Sequence, residues 1–112
     1  MLPPKTELVP GTLEMLVLKT LSLGTLHGYA IAQHIQRLSG DVLHVEEGSL
    51  YPALQRMQAR GWVASAWKMT PTKRRARYYR LTPAGRRQLG EEESAFARAT
   101  RAIARVMRAT ET

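Results

Sequence analysis

Acidic side chains are absent from one long segment of the 112-residue chain, whereas basic side chains are frequent there. No Asp or Glu lies between Glu47 and Glu91, although the chain has nine acids in all. Ten of its 17 Lys and Arg residues lie in this basic segment: Arg56, Arg60, Lys68, Lys73, Arg74, Arg75, Arg77, Arg80, Arg86 and Arg87. Because a solvated surface normally mixes both signs of charge, this separation favours a polyanion-binding surface over an ordinary charged face.

Two groups of side chains in the basic segment suit contact with nucleic acid. Ser49 and Tyr51 offer hydroxyl groups, Gln55 suits adenine, and Arg56 suits guanine or phosphate. The second group can follow a phosphate backbone or enter a minor groove, and it comprises Lys73, Arg74, Arg75 and Arg77. The alternatives are a half-buried Tyr51 ring packed against neighbouring structure, and a solubilising loop that carries the second group.

The sequence lacks the arrangements that catalysis and metal binding require. His27, His34 and His44 are not spaced as metal ligands, and no paired carboxylates, Gly-rich phosphate loop or Ser/His/Asp set stands out. We therefore expect no enzymatic activity, no metal site and no cofactor. Trp62 and Trp67 have the chemistry to stack on a ligand, but we expect both to pack within the fold.

Composition favours a single folded domain in a reducing cytoplasm. Hydrophobic residues make up 44% and charged residues 23% of the chain, and cysteine is absent, which excludes disulfides and thiolate metal sites. No run approaches the ~18 apolar residues of a membrane span, and Met1–Pro10 has no apolar core of the signal-peptide type. The net charge of +8 again favours an anionic partner.

Apolar periodicity and helix signals predict four helices. Two short helices cover Thr12–Leu23 and Gly28–Leu38. The ring of Pro52 would clash with a helical carbonyl four residues earlier, which predicts a third helix that starts near Ser49 with Ser49 as its cap. Thr82-Pro83 is a strong start signal for a long last helix.

Aromatic and β-branched residues predict a hairpin between the third and last helices. Its strands are Trp62–Met69 and Ala76–Leu81. The connecting loop, residues 70–75, is longer and more basic than the turns that close tight hairpins. It is predicted to form a projecting tip.

The last helix, which runs towards Arg108, has an apolar stripe that a lone surface helix does not need. Leu89, Phe96 and Ile103 are spaced by seven residues, and Val106 and Met107 end the stripe. The stripe predicts a homodimer in which Leu89, Phe96, Ile103 and Met107 meet a partner helix. Packing within one subunit is the alternative.

The order of helix, short turn, helix and basic hairpin predicts a winged helix-turn-helix, mainly α with a small β-hairpin. Residues 1–81 would form the DNA-binding part, with the wing at about 62–81, and residues 82–112 a C-terminal dimerisation helix in the same compact unit. Such a protein would place its third helix in the major groove of double-stranded DNA. Because a fold alone does not fix function, the alternative is a module that docks an acidic protein.

The motifs resemble those of a known family, the PadR family of bacterial transcriptional regulators, in the short form with a single C-terminal helix. The matching motifs are Gly11-Thr12-Leu13-Glu14, His27-Gly28-Tyr29-Ala30-Ile31, Glu47-Gly48-Ser49-Leu50-Tyr51-Pro52-Ala53-Leu54, Arg60-Gly61-Trp62-Val63, Arg74-Arg75-Ala76-Arg77-Tyr78-Tyr79 and Leu81-Thr82-Pro83-Ala84-Gly85-Arg86. Each motif is weak alone, but their order and spacing over residues 10–89 are specific.

The resemblance implies a dimeric repressor that occupies a palindromic operator. It places Ser49, Tyr51 and Pro52 on the recognition helix, and the wing residues are Arg74, Arg75 and Arg77. Two features depart from the family: the wing tip at residues 70–73 is more basic, and the C-terminal helix lacks the tryptophan with which some relatives stack drugs. Whether a small-molecule effector binds is therefore left open.

Overall fold

The computed structural model describes Leu8 and residues 11–111. The Met1–Pro10 stretch, apart from Leu8, and Thr112 lie outside the described residues, as do the outer ends of the predicted division into 1–81 and 82–112. The elements are α1 (Leu13–Ser22), β1 (Leu26–His27), α2 (Gly28–Leu38), α3 (Glu47–Ala59), β2 (Val63–Met69), β3 (Arg75–Leu81) and α4 (Pro83–Met107). The predicted mainly-α winged helix-turn-helix is confirmed.

One hydrophobic core joins the first three helices to the base of the hairpin. Leu50, Leu54 and Met57 are almost fully buried, which confirms the predicted inward face of α3. Burial of each such side chain stabilises the fold by about 1.5–3 kcal/mol. The other buried core residues are Val17, Leu18, Leu21, Ile31, Ile35, Val63, Tyr79, Leu81 and Leu89. This core fixes α3 so that its opposite face points to solvent.

The predicted start of α3 is wrong by two residues. The helix begins at Glu47 after Glu46 as N-cap, and Ser49 lies inside the first turn rather than at the cap. The amide N–H groups of Ser49 and Leu50 both donate to the Glu46 carbonyl, at 3.0 Å. Pro52 therefore lies in the second turn, where the carbonyl four residues earlier loses its helical donor. Because Gly48 is exposed, water can bond that carbonyl.

The hairpin belongs to a three-stranded antiparallel sheet with the order β1-β3-β2. Both predicted hairpin strands are confirmed, with shifts of one residue at Trp62 and Arg75. The third strand, β1, pairs Leu26 with Tyr79 and His27 with Tyr78. Sequence analysis missed β1 because two residues are too short to show an alternating pattern.

Helix α4 is anchored to the core only near its start. The Thr82 hydroxyl accepts a hydrogen bond from the Gly85 N–H at 3.0 Å, and it donates to the Gly61 carbonyl at 2.6 Å. The 25 residues of α4 extend for about 37 Å. The radius of gyration is 16.2 Å, against about 13 Å for a compact chain of this length, because α4 projects beyond the core. No helix in the described part of the chain is long and apolar enough to cross a membrane.

Gly85 marks the contact between α4 and the hairpin, and its replacement tests that contact. A Cβ at Gly85 would overlap the Trp62 carbonyl oxygen, whereas a Cβ at Gly90, on the same helix, would meet nothing within 4 Å. We expect Gly85→Ala to lower the free energy of unfolding by about 1–3 kcal/mol. The control Gly90→Ala should raise it by about 0.4–1 kcal/mol, because alanine restricts the unfolded chain. Urea denaturation measures both, and equal effects would contradict the packing described.

Candidate nucleic-acid interface

The two hairpin strands sort the wing cations onto different faces. Trp67 pairs directly with Arg77, and Met69 pairs with Arg75. Because side chains alternate along a strand, Arg75 and Arg77 share the face that carries the buried Val63. Lys68 and Arg80 lie on the opposite face, and both are exposed. The sheet thus separates basic residues that look equivalent in the sequence.

Helix α3 and the first of these faces border a groove of about 740 Å³. Its lining residues are Tyr51, Gln55, Gln58 and Ala59 from α3 and Trp67, Arg77 and Tyr79 from the hairpin. None of these seven is acidic. The structure therefore brings together three of the sequence-predicted contact residues, Tyr51, Gln55 and Arg77.

Two hydrogen bonds hold Arg77 at this groove. The Arg77 Nε donates to Ser65 Oγ at 2.8 Å, and Ser65 Oγ donates to Gln58 Oε1 at 3.1 Å. The bridge connects β3, β2 and α3, so it couples the wing to the helix. Sequence analysis missed Ser65 and Gln58, because neither charge nor local spacing marks them.

Trp67 lies at the outer part of the groove and is 57% exposed. The guanidinium carbons of Arg75 and Arg77 lie 5.4 and 6.0 Å from its ring centroid. These distances fit cation–π contacts. Trp67 thus packs across the strands on arginines rather than in the core. Trp62, in contrast, packs against the core, with the Arg60 guanidinium 5.0 Å from its ring.

Tyr51 is half-buried between α2 and the hairpin side of the groove. A Cβ at Gly28 would lie 2.8 Å from Tyr51 Cε1, so the absence of a side chain there makes room for the ring. Burial raises the pKa of the phenol above its usual 10.0, with smaller contributions from Glu47 and Tyr79. The hydroxyl is therefore protonated at neutral pH and can donate a hydrogen bond.

The remaining predicted contact residues flank the groove. Ser49 and Pro52 are exposed on the first half of α3. At the wing tip, Lys73 and Arg74 are exposed, and Lys73 has a positive φ of 63°. The Thr70 N–H donates to the Arg74 carbonyl at 2.7 Å, and the Thr70 hydroxyl accepts from the Arg74 N–H at 3.1 Å. The predicted loop is thus a closed turn that fixes the direction of both cations.

Arg56 is not part of this groove. Its Nε lies 3.2 Å from Glu14 Oε1, and Arg60 lies 3.6 Å from the other oxygen of the same carboxylate. Glu92 of α4 lies near them, with a buried Oε2 that has no hydrogen-bond partner among the described residues. Burial, and next the charge of Glu14, raise the pKa of Glu92, against smaller opposing effects of Gln88 and Arg60. Within residues 11–111, no group of three His, Asp or Glu side chains could hold a metal ion.

Comparison with known proteins identifies the family. Residues 17–91 match the model of the transcriptional regulator PadR-like family. The chain belongs to this family. A transcriptional regulator of Mycobacterium tuberculosis is 38% identical over 68 residues, which cover 61% of this chain and 63% of the regulator. An uncharacterised protein in a transposon of Streptomyces fradiae is 45% identical over 85 residues, or 76% of this chain and 23% of that protein. The chain thus spans less than two thirds of the length of both relatives.

Solved structures of PadR regulators share the fold. A PadR family regulator from Eggerthella lenta is 30% identical with a TM-score of 0.77, over 89% of this chain and 85% of that one. PadR from Bacillus subtilis, solved in complex with operator DNA, is 25% identical with a TM-score of 0.64 over 72% of this chain and 46% of that one. The resemblance inferred from the motifs is confirmed.

Proposed function

We propose that this PadR-family regulator binds double-stranded DNA in a sequence-specific manner and represses transcription by occupying a palindromic operator in the cytoplasm. The observation that carries the proposal is the groove between α3 and the hairpin, whose lining includes no acid. B-DNA's major groove, about 12 Å wide, admits one α-helix. The operator complex of the Bacillus subtilis relative supports this assignment.

The site residues divide by the part of DNA that they reach. Ser49, Tyr51 and Pro52 enter the major groove at the start of α3, and Gln55 faces the base edges from the next turn. The phosphate contacts come from the wing residues Lys73, Arg74, Arg75 and Arg77. Arg56 reaches DNA only by leaving Glu14, and an exposed ion pair of this kind contributes only about 0–1 kcal/mol. A phosphate can therefore compete with Glu14 for it.

The exposed stripe of α4 supports a homodimer. Phe96, Ile103 and Met107 are 46%, 62% and 77% exposed, and Val106 lies beside them at 72%. Leu89, which was predicted to belong to the same stripe, is only 8% exposed because it packs in the core of its own subunit. The dimer face therefore begins at Phe96, and residues 82–112 provide it while residues 1–81 bind DNA.

Salt dependence of binding tests the function. The probe is a fluorescent 30-base-pair duplex of mixed sequence, and the measurement is its anisotropy at several salt concentrations. Four wing cations from each subunit of a dimer predict that log K falls with log[salt] with a slope of about −7. Tight binding that hardly depends on salt would contradict the phosphate contacts, and absence of binding at low salt would favour a module that docks an acidic protein.

Gly28→Ala tests the position of Tyr51 without altering Tyr51 itself. Because the added Cβ would lie 2.8 Å from Cε1, the ring must turn away. We expect duplex affinity to fall about five- to tenfold, with little change in melting temperature. Gly90→Ala, whose Cβ meets open space, is the control. Unchanged affinity of Gly28→Ala would show that the observed position of the Tyr51 ring is irrelevant to DNA binding.

A further inference from the structure

Trp67 is more exposed than its contacts within the fold explain. More than half of its surface is accessible, and it lies in the lining of the groove rather than on an outer face of the hairpin. On either side of its ring lie the guanidinium groups of Arg75 and Arg77. An apolar ring between two cations matches a repeating ligand in which an apolar unit alternates with an anion.

The position of the groove indicates which part of DNA that ligand is. If α3 lies in the major groove and the hairpin tip reaches the neighbouring minor groove, the sugar–phosphate strand that separates the two grooves must pass between α3 and the hairpin. The space of about 740 Å³ between them is open to solvent and contains no acidic side chain in its lining. A phosphodiester strand meets no repelling charge there.

We infer that this groove holds the sugar–phosphate strand, with the Trp67 indole against a deoxyribose and the Arg75 and Arg77 guanidiniums on the two flanking phosphates. The inference rests on the proposed function and adds Trp67 to its binding residues. The indole ring orients both guanidiniums through cation–π contact, while the bridge through Ser65 and Gln58 fixes Arg77. Because every nucleotide carries a deoxyribose and a phosphate, Trp67 adds affinity for all sequences and no preference among them.

Substitution of Trp67 provides the first test, with the 30-base-pair mixed-sequence duplex as the probe. Trp67→Ala should weaken binding about tenfold and reduce the salt slope by about one to two per dimer, because both guanidiniums lose their support. Trp67→Phe keeps an aromatic ring and should lose less than about threefold. The matched control is Lys68→Ala, which removes a charge from the opposite face of the same strand and should leave the slope nearly unchanged. If Trp67→Ala binds as tightly as the parent protein, the inference is wrong.

Fluorescence of Trp67 in place provides the second test. Trp62→Phe leaves Trp67 as the single tryptophan of the chain, and circular dichroism checks its fold. Saturation with the duplex should reduce acrylamide quenching of Trp67 by at least about threefold, because the strand covers the ring. If anisotropy shows a complex while quenching stays unchanged, the groove is empty in that complex and this inference fails although the proposed function stands. If no complex forms at low salt, the proposed function itself fails.

Discussion

Glutamates at Phe96 and Ile103 together should convert the protein to a monomer and weaken operator binding by at least about a hundredfold. Both side chains lie on the exposed stripe of α4, so the substitutions place charges where two apolar helices would meet. A dimer binds its second half-site at an effective concentration in the millimolar range, and a monomer loses that gain. Light scattering should give 12.6 kDa for the variant and twice that mass for the parent protein.

A double variant on the other side of α4 serves as the control. Ser94→Glu with Arg101→Gln changes the net charge by the same two units, but both positions lie about 140–160° around the helix from Phe96. This control should stay dimeric and keep its DNA affinity. A parent protein that is already monomeric, or a Phe96/Ile103 variant that stays dimeric, would contradict the proposed interface.

Removal of both groove arginines, Arg75→Ala with Arg77→Ala, should give the second large effect. The dimer loses four phosphate contacts, so the salt slope should fall by about 3.6. Affinity near physiological salt should fall by about tenfold to a hundredfold, with a similar loss for specific and mixed-sequence duplexes because phosphates carry no sequence information. Anisotropy titration of both duplexes at several salt concentrations measures the slope and the specificity ratio.

The other face of the hairpin supplies a control with the same loss of charge. Lys68→Ala with Arg80→Ala removes two cations per subunit, but from the face that points away from α3. Its salt slope should change by less than about one. Equal losses in the two double variants would show that total charge, rather than the groove, determines binding.

Local patterns sufficed for most of the fold. The apolar period of α2 and the Thr82-Pro83 start of α4 predicted these helices, because capping and amphipathic burial act over a few residues. The Pro52 rule gave the wrong start for α3, since an exposed Gly48 carbonyl tolerates the loss of one helical hydrogen bond. The rule treats every carbonyl as if it were buried.

Contacts between distant residues were beyond the reach of the sequence. The partner of Arg56 is Glu14, which lies 42 residues earlier, so a charge count could not show that Arg56 is paired. Leu89 fits the seven-residue spacing of α4 equally well as a core or a dimer residue, and only packing against α1 and the hairpin decides. For the same reason the Ser65 bridge was missed, although Tyr51, Gln55 and Arg77 were predicted.

Selection from a random-sequence duplex library tests the central claim most directly. The parent protein captures duplexes at moderate salt over several rounds, and the bound pool is sequenced. A dimer that places two α3 helices in successive major grooves predicts enrichment of an inverted repeat with half-site centres about 10 base pairs apart. A bound pool that retains the base composition and sequence distribution of the input would contradict sequence-specific regulation by this protein.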